Sequence, residues 1–195
     1  MLQGGIIMKD VYKYCPEFEN DKYLLRLISQ EDASDLLKVY SDVKAVPFFN
    51  CDNCNGDDFF YTTIERMKQA VDFWIFSYDK RYFVRWSIID KEKSEVIGTI
   101  ELFHRDADEH FYECGLLRLD LRSDYENAKE IENIVLLIKS ATYDMFYCEK
   151  IATKAVPTAM ERIKALQNLG FVATDKKIVG HDGTEYGDYF ILEKD

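Results

Sequence analysis

Lys150-Ile-Ala-Thr-Lys-Ala-Val156 has the composition of a strand, and Pro157 has to end it. Proline offers no N–H to a ladder. The apolar residues that follow, Met160, Ile163, Leu166 and Leu169, fall three apart on one face of a helix over 159–169. Gly170 stands where a left-handed C-cap is wanted, and Phe171 is the hydrophobe that clamps it. A strand, a short helix, Leu-Gly-Phe and another strand make this half of the chain part of an α/β domain.

The rest of the chain supplies the other layers. Tyr23–Ile28 reads as a strand, and Ser29 with Asp32 opens a helix whose buried face is Leu36, Leu37 and Tyr40. Pro47-Phe-Phe-Asn50 breaks that helix, and Cys51–Asp58 is a loop of turn formers. The spacing of Ile64, Met67, Val71 and Trp74/Ile75 predicts a long helix over Phe59–Tyr78. Tyr82–Asp90, Val96–Phe103 and Phe111–Leu121 follow as an antiparallel meander, joined by turns at Asp90–Ser94 and Arg105–Glu109. A helix is expected over Asp124–Phe146. Two last strands, Ala173–Val179 and Tyr186–Leu192, meet through Gly180–Gly183.

With 195 residues the chain is long enough for one domain that buries about 70% of its unfolded surface. Residues 1–21 read as an N-terminal extension, with Met8 as an alternative start, and 22–195 as a single domain. A net charge of −11 argues against a nucleic-acid partner, which needs a basic face. It would suit an amine substrate, although acidity more often serves solubility. No stretch approaches the roughly 20 apolar residues of a membrane span. Five irregularly spaced cysteines argue against a disulfide framework, so a reducing cytoplasm is expected, with no membrane partner.

The element order β-α-α-β-β-β-α-β-α-β-β resembles the GNAT acyltransferase superfamily over about 170 residues. Its fold is an α+β splayed mixed sheet of about seven strands flanked by helices. Leu25-Arg-Leu27 with Glu31-Asp-Ala33, Ile97-Gly-Thr-Ile100 and the Gly183…Asp188 hairpin resemble the subgroup that acetylates ribosomal-protein N-termini and small amines. The resemblance implies acetyl-CoA as co-substrate and a small-molecule amine or peptide N-terminus as acceptor, attacked directly. It leaves a homodimer open. It also implies a splay between Phe111–Leu121 and Lys150–Val156. There the backbone of Leu119 and Leu121 would hold the pantetheine arm, and Arg122, Asn127, Ala128 and Lys129 would surround the diphosphate at the next helix N-terminus.

Here the sequence departs from the family. The motif Arg/Gln-x-x-Gly-x-Gly/Ala becomes Glu126, Lys129 and Ile131, or, in the shifted register, Arg122, Tyr125 and Asn127. No glycine lets the backbone approach a phosphate. Ser123 and Glu126 instead spell a capping box, with Ser123 as the N-cap. The family's later Asn and Ser or Tyr become Ala159, Arg162 and Leu166, none of which donates a proton near pH 7.

Two glutamates interrupt apolar strands, Glu101 and Glu113. Facing a cleft, such a carboxylate has its pKa raised by desolvation and suits a general base. The competing reading is an ion pair with Arg85 or Arg118. Cys51-x-x-Cys54 lacks the further ligands a tetrahedral zinc requires and reads as a polar loop. The resemblance places that loop at the acceptor pocket, with Phe48, Phe49, Asn53 and Asn55 as its selecting side chains. The alternatives are a GNAT-fold binding protein that has lost its CoA loop, and a transferase fed by an acyl-carrier thioester.

Overall fold

The computed structural model describes residues 10–107 and 110–194. Met8 and the end of the Arg105–Glu109 turn lie outside the described residues. One eight-stranded sheet carries the fold, in the order β1-β2-β3-β4-β5-β6-β10-β7. The strands are β1 (Phe18–Glu19), β2 (Tyr23–Leu27), β3 (Val84–Asp90), β4 (Glu95–Arg105), β5 (Cys114–Leu121), β6 (Lys150–Lys154), β7 (Val172–Ala173) and β10 (Tyr189–Glu193). A separate pair, β8 (Ile178–Val179) and β9 (Glu185–Tyr186), forms the late hairpin. The helices are α1 (Ala33–Tyr40), α2 (Ile64–Asp79), α3 (Ala128–Met145) and α4 (Met160–Asn168).

Side-chain alternation assigns the two faces. Val84, Trp86 and Ile88 of β3, Ile100 and Leu102 of β4, and Leu117, Leu119 and Leu121 of β5 pack in one core with α3 and α4. The residues between them face α1 and α2, whose own core holds Leu36, Tyr40, Met67 and Trp74. Residues 10–19 join the domain: Val11 is buried in the first core, and β1 pairs with β2.

β2 to β5 form the expected antiparallel meander. β5 and β6 are parallel over four pairs, from Cys114↔Lys150 to Leu117↔Thr153, and then part. The Leu-Gly-Phe ending behaves as the sequence implies. Gly170 takes φ +92, its N–H reaches Gln167 O, and Phe171 N–H reaches Leu166 O.

Two helix starts differ from the pattern. α2 begins at Ile64, not Phe59, because Thr63 is the N-cap, its hydroxyl accepting from Arg66 N–H. Phe59 sits in the left-handed region at φ 56, and the rings of Phe59 and Tyr61 pack on Tyr40. Their burial against the first helix outweighs continuation of the second. α3 begins at Ala128, not Asp124, and Asn127 caps it by accepting from Glu130 N–H. Ser123 does not cap α3. It opens a 3₁₀ turn over Ser123–Tyr125 that buries the Tyr125 ring, whose hydroxyl donates to Asp90.

Gly98 tests how tightly β4 lies on β5. A Cβ there would come 2.2 Å from Asp120 O and 2.9 Å from Leu121 Cδ2. Gly98→Ala should lower stability by about 1–3 kcal/mol, the range of overpacking. Urea denaturation is the measurement, and a wild-type midpoint would show that β4 yields freely.

Candidate functional site

Strand register lines up three charges on the α1/α2 face. Arg85 lies opposite Glu101, and Glu101 lies opposite Arg118. Arg85 donates through Nε to Glu101 Oε2 at 3.1 Å, and Arg118 donates through Nη1 to Glu101 Oε1 at 3.0 Å. The next row pairs Thr99 with Asp120. Arg85 Nη1 also donates to Tyr40 Oη (2.8 Å), Thr99 Oγ1 (3.0 Å) and Asp120 Oδ2 (3.2 Å). Its guanidinium lies 4.1 Å from the centre of the Trp74 ring.

These surroundings decide the protonation states. Burial alone raises the Glu101 carboxyl, but Arg85 and Arg118 outweigh it and hold Glu101 below the ordinary carboxylate range. The expectation of a raised, base-like glutamate is therefore corrected, and the ion pair is what forms. Asp120 goes the other way. Burial raises its carboxyl more than Arg85 and Tyr40 lower it, and its Oδ1 is buried without a partner among the described residues. Glu113 lies outside β5, exposed, at φ 51 in the turn before it. It interrupts no apolar strand, so that candidate loses its premise as well.

Above the charge row lies a cavity of about 420 Å³. Phe59, Tyr61, Trp74 and Phe103 wall it, and Arg66, Arg85, Arg118, Asp57 and Glu101 supply its charge. Asn53 and Asn55 line it as expected, both in the left-handed region at φ 58 and 54. Phe49 is instead core, its ring packed on Tyr40, and Phe48 contributes its carbonyl elsewhere. The Pro47 turn sends these two residues away from the cavity. Cys54 receives a long contact from Arg118 (3.4 Å), and burial pushes its thiol up to about 11, so it is inert at neutral pH. No group of three or more potential metal ligands occurs among the described residues.

Asp52 ties this loop to the sheet. Its carboxylate accepts from Lys154 Nζ at 2.7 and 2.8 Å and from Tyr189 Oη at 3.0 Å. Sequence reasoning missed Asp120 and Asp52. The first carried a signal: a charge at an inward position of an apolar strand. Asp52, in a polar loop, carried none.

The donor side differs from the family pattern. Leu119 O accepts from Arg162 Nη1 at 2.8 Å, so the strand carbonyl assigned to a pantetheine arm is already taken. The Leu121 side chain is core. Arg122 is paired with Asp124 and Glu95. Asn127 is spent as the helix cap, Ala128 N–H donates to Glu161 Oε2 at 2.9 Å, and Lys129 is exposed. In this arrangement most of the groups that the resemblance assigns to the donor are engaged with partners inside the fold.

No protein-family model matches the chain. Over 95 residues it is 26% identical to the uncharacterised N-acetyltransferase YoaA of Bacillus subtilis. That match spans about half of each protein, 49% of this chain and 49% of the relative. An acetyltransferase of the GNAT family from Bacillus anthracis superposes with a TM-score of 0.66 at 11% identity, over 91% of this chain and 98% of that one. A ribosomal L7/L12 α-N-protein acetyltransferase, solved in complex with coenzyme A, superposes with a TM-score of 0.67 at 11% identity, over 92% and 99% of the two chains. The fold is that of the GNAT acetyltransferases, an α+β mixed sheet splayed between β5 and β6. No helix among the described residues is long and apolar enough to cross a membrane.

The charge row makes a pH-dependent prediction. Glu101→Gln leaves Arg85 and Arg118 buried with their shared counter-charge gone. It should destabilise the fold by about 3–5 kcal/mol at pH 7. The wild-type carboxyl is held below its unfolded value, so its contribution is present above about pH 4.3 and fades as pH falls through the folded value. The gap between variant and wild type should therefore narrow on acidification. Chemical denaturation at pH 7 and pH 3.5 measures it, and a pH-independent gap would remove the ion pair as its cause.

Proposed function

We propose that the chain is an N-acyltransferase that moves an acetyl group from acetyl-CoA to the primary amine of a small molecule or a peptide N-terminus, by direct attack. The observation that carries this reading is the position of the cavity. Arg118 lines it, and the next residue, Leu119, lies on β5 where that strand has parted from β6. An acceptor in the cavity and a donor in the splay would meet across one residue of β5.

The cavity charge narrows the acceptor. In a chain of net charge −11 it gathers three arginines against Asp57 and Glu101. An acceptor with a carboxylate near its amine, such as an amino acid or an acidic peptide, suits it better than a polyamine. The aromatic walls cover an apolar body, and Asn53 and Asn55 offer amides to polar groups.

Glu101, held ionised by two arginines, orients Arg118. The ammonium proton goes to water. The amine nitrogen then bonds to the thioester carbonyl carbon, the C–S bond breaks, and the departing CoA thiolate takes the amine's second proton. The rate should accordingly follow the acceptor's own ionisation, rising with pH to about 7.7–8.0 for a peptide α-amine, with no inflection from a carboxylate near pH 5–6. Glu113→Gln should keep the wild-type rate. Acetyl transfer assayed over that pH range, with amino acids, acidic peptides and polyamines, decides the matter. A lower inflection that disappears in Glu101→Gln would restore a glutamate base, and no transfer to any acceptor would remove the enzyme reading.

A second reading, a GNAT-fold binding protein without transferase activity, is favoured by Arg162, which lies where the donor would have to pass.

A further inference from the structure

Helix α4 reaches the donor side with two consecutive residues. Arg162 donates to Leu119 O at 2.8 Å and to Phe48 O at 2.9 Å. Through Nε and Nη2 it forms a two-pronged pair with Glu126, each bond 2.7 Å. The two side chains are only 3% and 6% exposed. Glu161 meanwhile sets its carboxylate on the N–H of Ala128, the first residue of α3. A carboxylate at a helix N-terminus takes the donors and the dipole field that a phosphate would otherwise use.

Glu126 and Arg162 answer each other. Glu126 stands where the resemblance calls for Arg or Gln, and Arg162 where it calls for Ser. The first exchange reverses the charge at the entry to α3. The second brings the opposite charge to it in bidentate geometry. A buried Glu126 without Arg162 would be an uncompensated charge. The two departures are therefore one coupled change, which fills the splay.

We infer that Glu161 and Arg162 are a built-in occupant of the donor seat, and that acetyl-CoA binds this chain only by displacing both. The inference rests on reading the β5–β6 splay as a donor seat, as in the proposed function. Arg162 stands in for the arm along β5, and Glu161 for the anion at α3. Leaving costs Arg162 its buried partner, so the donor's binding free energy is spent first on opening.

Calorimetry with acetyl-CoA tests this on wild type, on Glu161→Ala and on the double variant Arg162→Ala/Glu126→Gln. The double variant removes both buried charges together, so the fold keeps no orphaned ion. Circular dichroism and a thermal melt check it. Wild type should bind more weakly than micromolar. The double variant should bind about tenfold tighter or better, and Glu161→Ala, at an exposed site, should also tighten binding. Submicromolar wild-type binding, or a folded double variant no tighter than wild type, would overturn the inference. If the double variant does not fold, Glu161→Ala decides alone, and unchanged affinity counts against it. Acetyl transfer by the same proteins separates the two readings. An opened variant that binds acetyl-CoA but acetylates nothing keeps the built-in occupant and removes the transferase. A wild type that binds and transfers as well as the variant does the reverse.

Discussion

Arg85 carries a full charge into the interior, 1% exposed, and the face of the sheet under α1 and α2 is arranged to satisfy it. Taking a guanidinium out of water is expensive unless every direction offers a partner. β4 offers Glu101 and Thr99, β5 offers Asp120, α1 offers the Tyr40 hydroxyl, and α2 lays the Trp74 ring over the plane. These groups come from two strands and two helices, gathered around the third strand, β3, that carries Arg85. Moving any one of them strands a charge, so the network fixes how both helices seat. The cavity inherits its floor from this arrangement. Glu101 and Arg118 point into it because they share a face with Arg85.

Much of this fold was legible because it rests on local patterns. The meander follows from alternation in β3, β4 and β5, and α4 from its three-residue spacing and Gly170. The failures sit where a distant contact overrode a local preference. Ser123 is a good cap by sequence, but burial of Tyr125 with its hydroxyl on Asp90 turns the chain too tightly there, and the cap passes to Asn127. Phe59 and Tyr61 fit a helical pattern, yet their rings belong to Tyr40. Neither partner lies within a helix-length window of the residue it redirects.

The site was half legible for a similar reason. Glu101 was visible as a charge in an apolar strand, and its two arginines were visible beside it in register. Which influence would set its protonation was not, since burial and ion pairing push in opposite directions. At the donor side, Glu126 and Arg162 each stood out as a departure from the resembled family. Their meeting could not be read, because 35 residues, a helix and a strand separate them in the chain and only the return of α4 brings them together.

Arg162 touches more than the splay. By holding Phe48 O it pins the connection between α1 and the cavity loop, and by holding Glu126 it pins the approach to α3. A single side chain is thus common to the connection that leads into the cavity loop and to the filling of the splay. Whatever draws it from the splay also releases Phe48 O at the entry to that loop. If the donor displaces Arg162 as proposed, the splay and the cavity share a coupling free energy. By thermodynamic reciprocity, the factor by which one ligand alters the affinity for the other is the same in both directions. With such a link the order of addition becomes a property of the fold: the ligand that must dislodge the arginine prepares, or spoils, the place of the other.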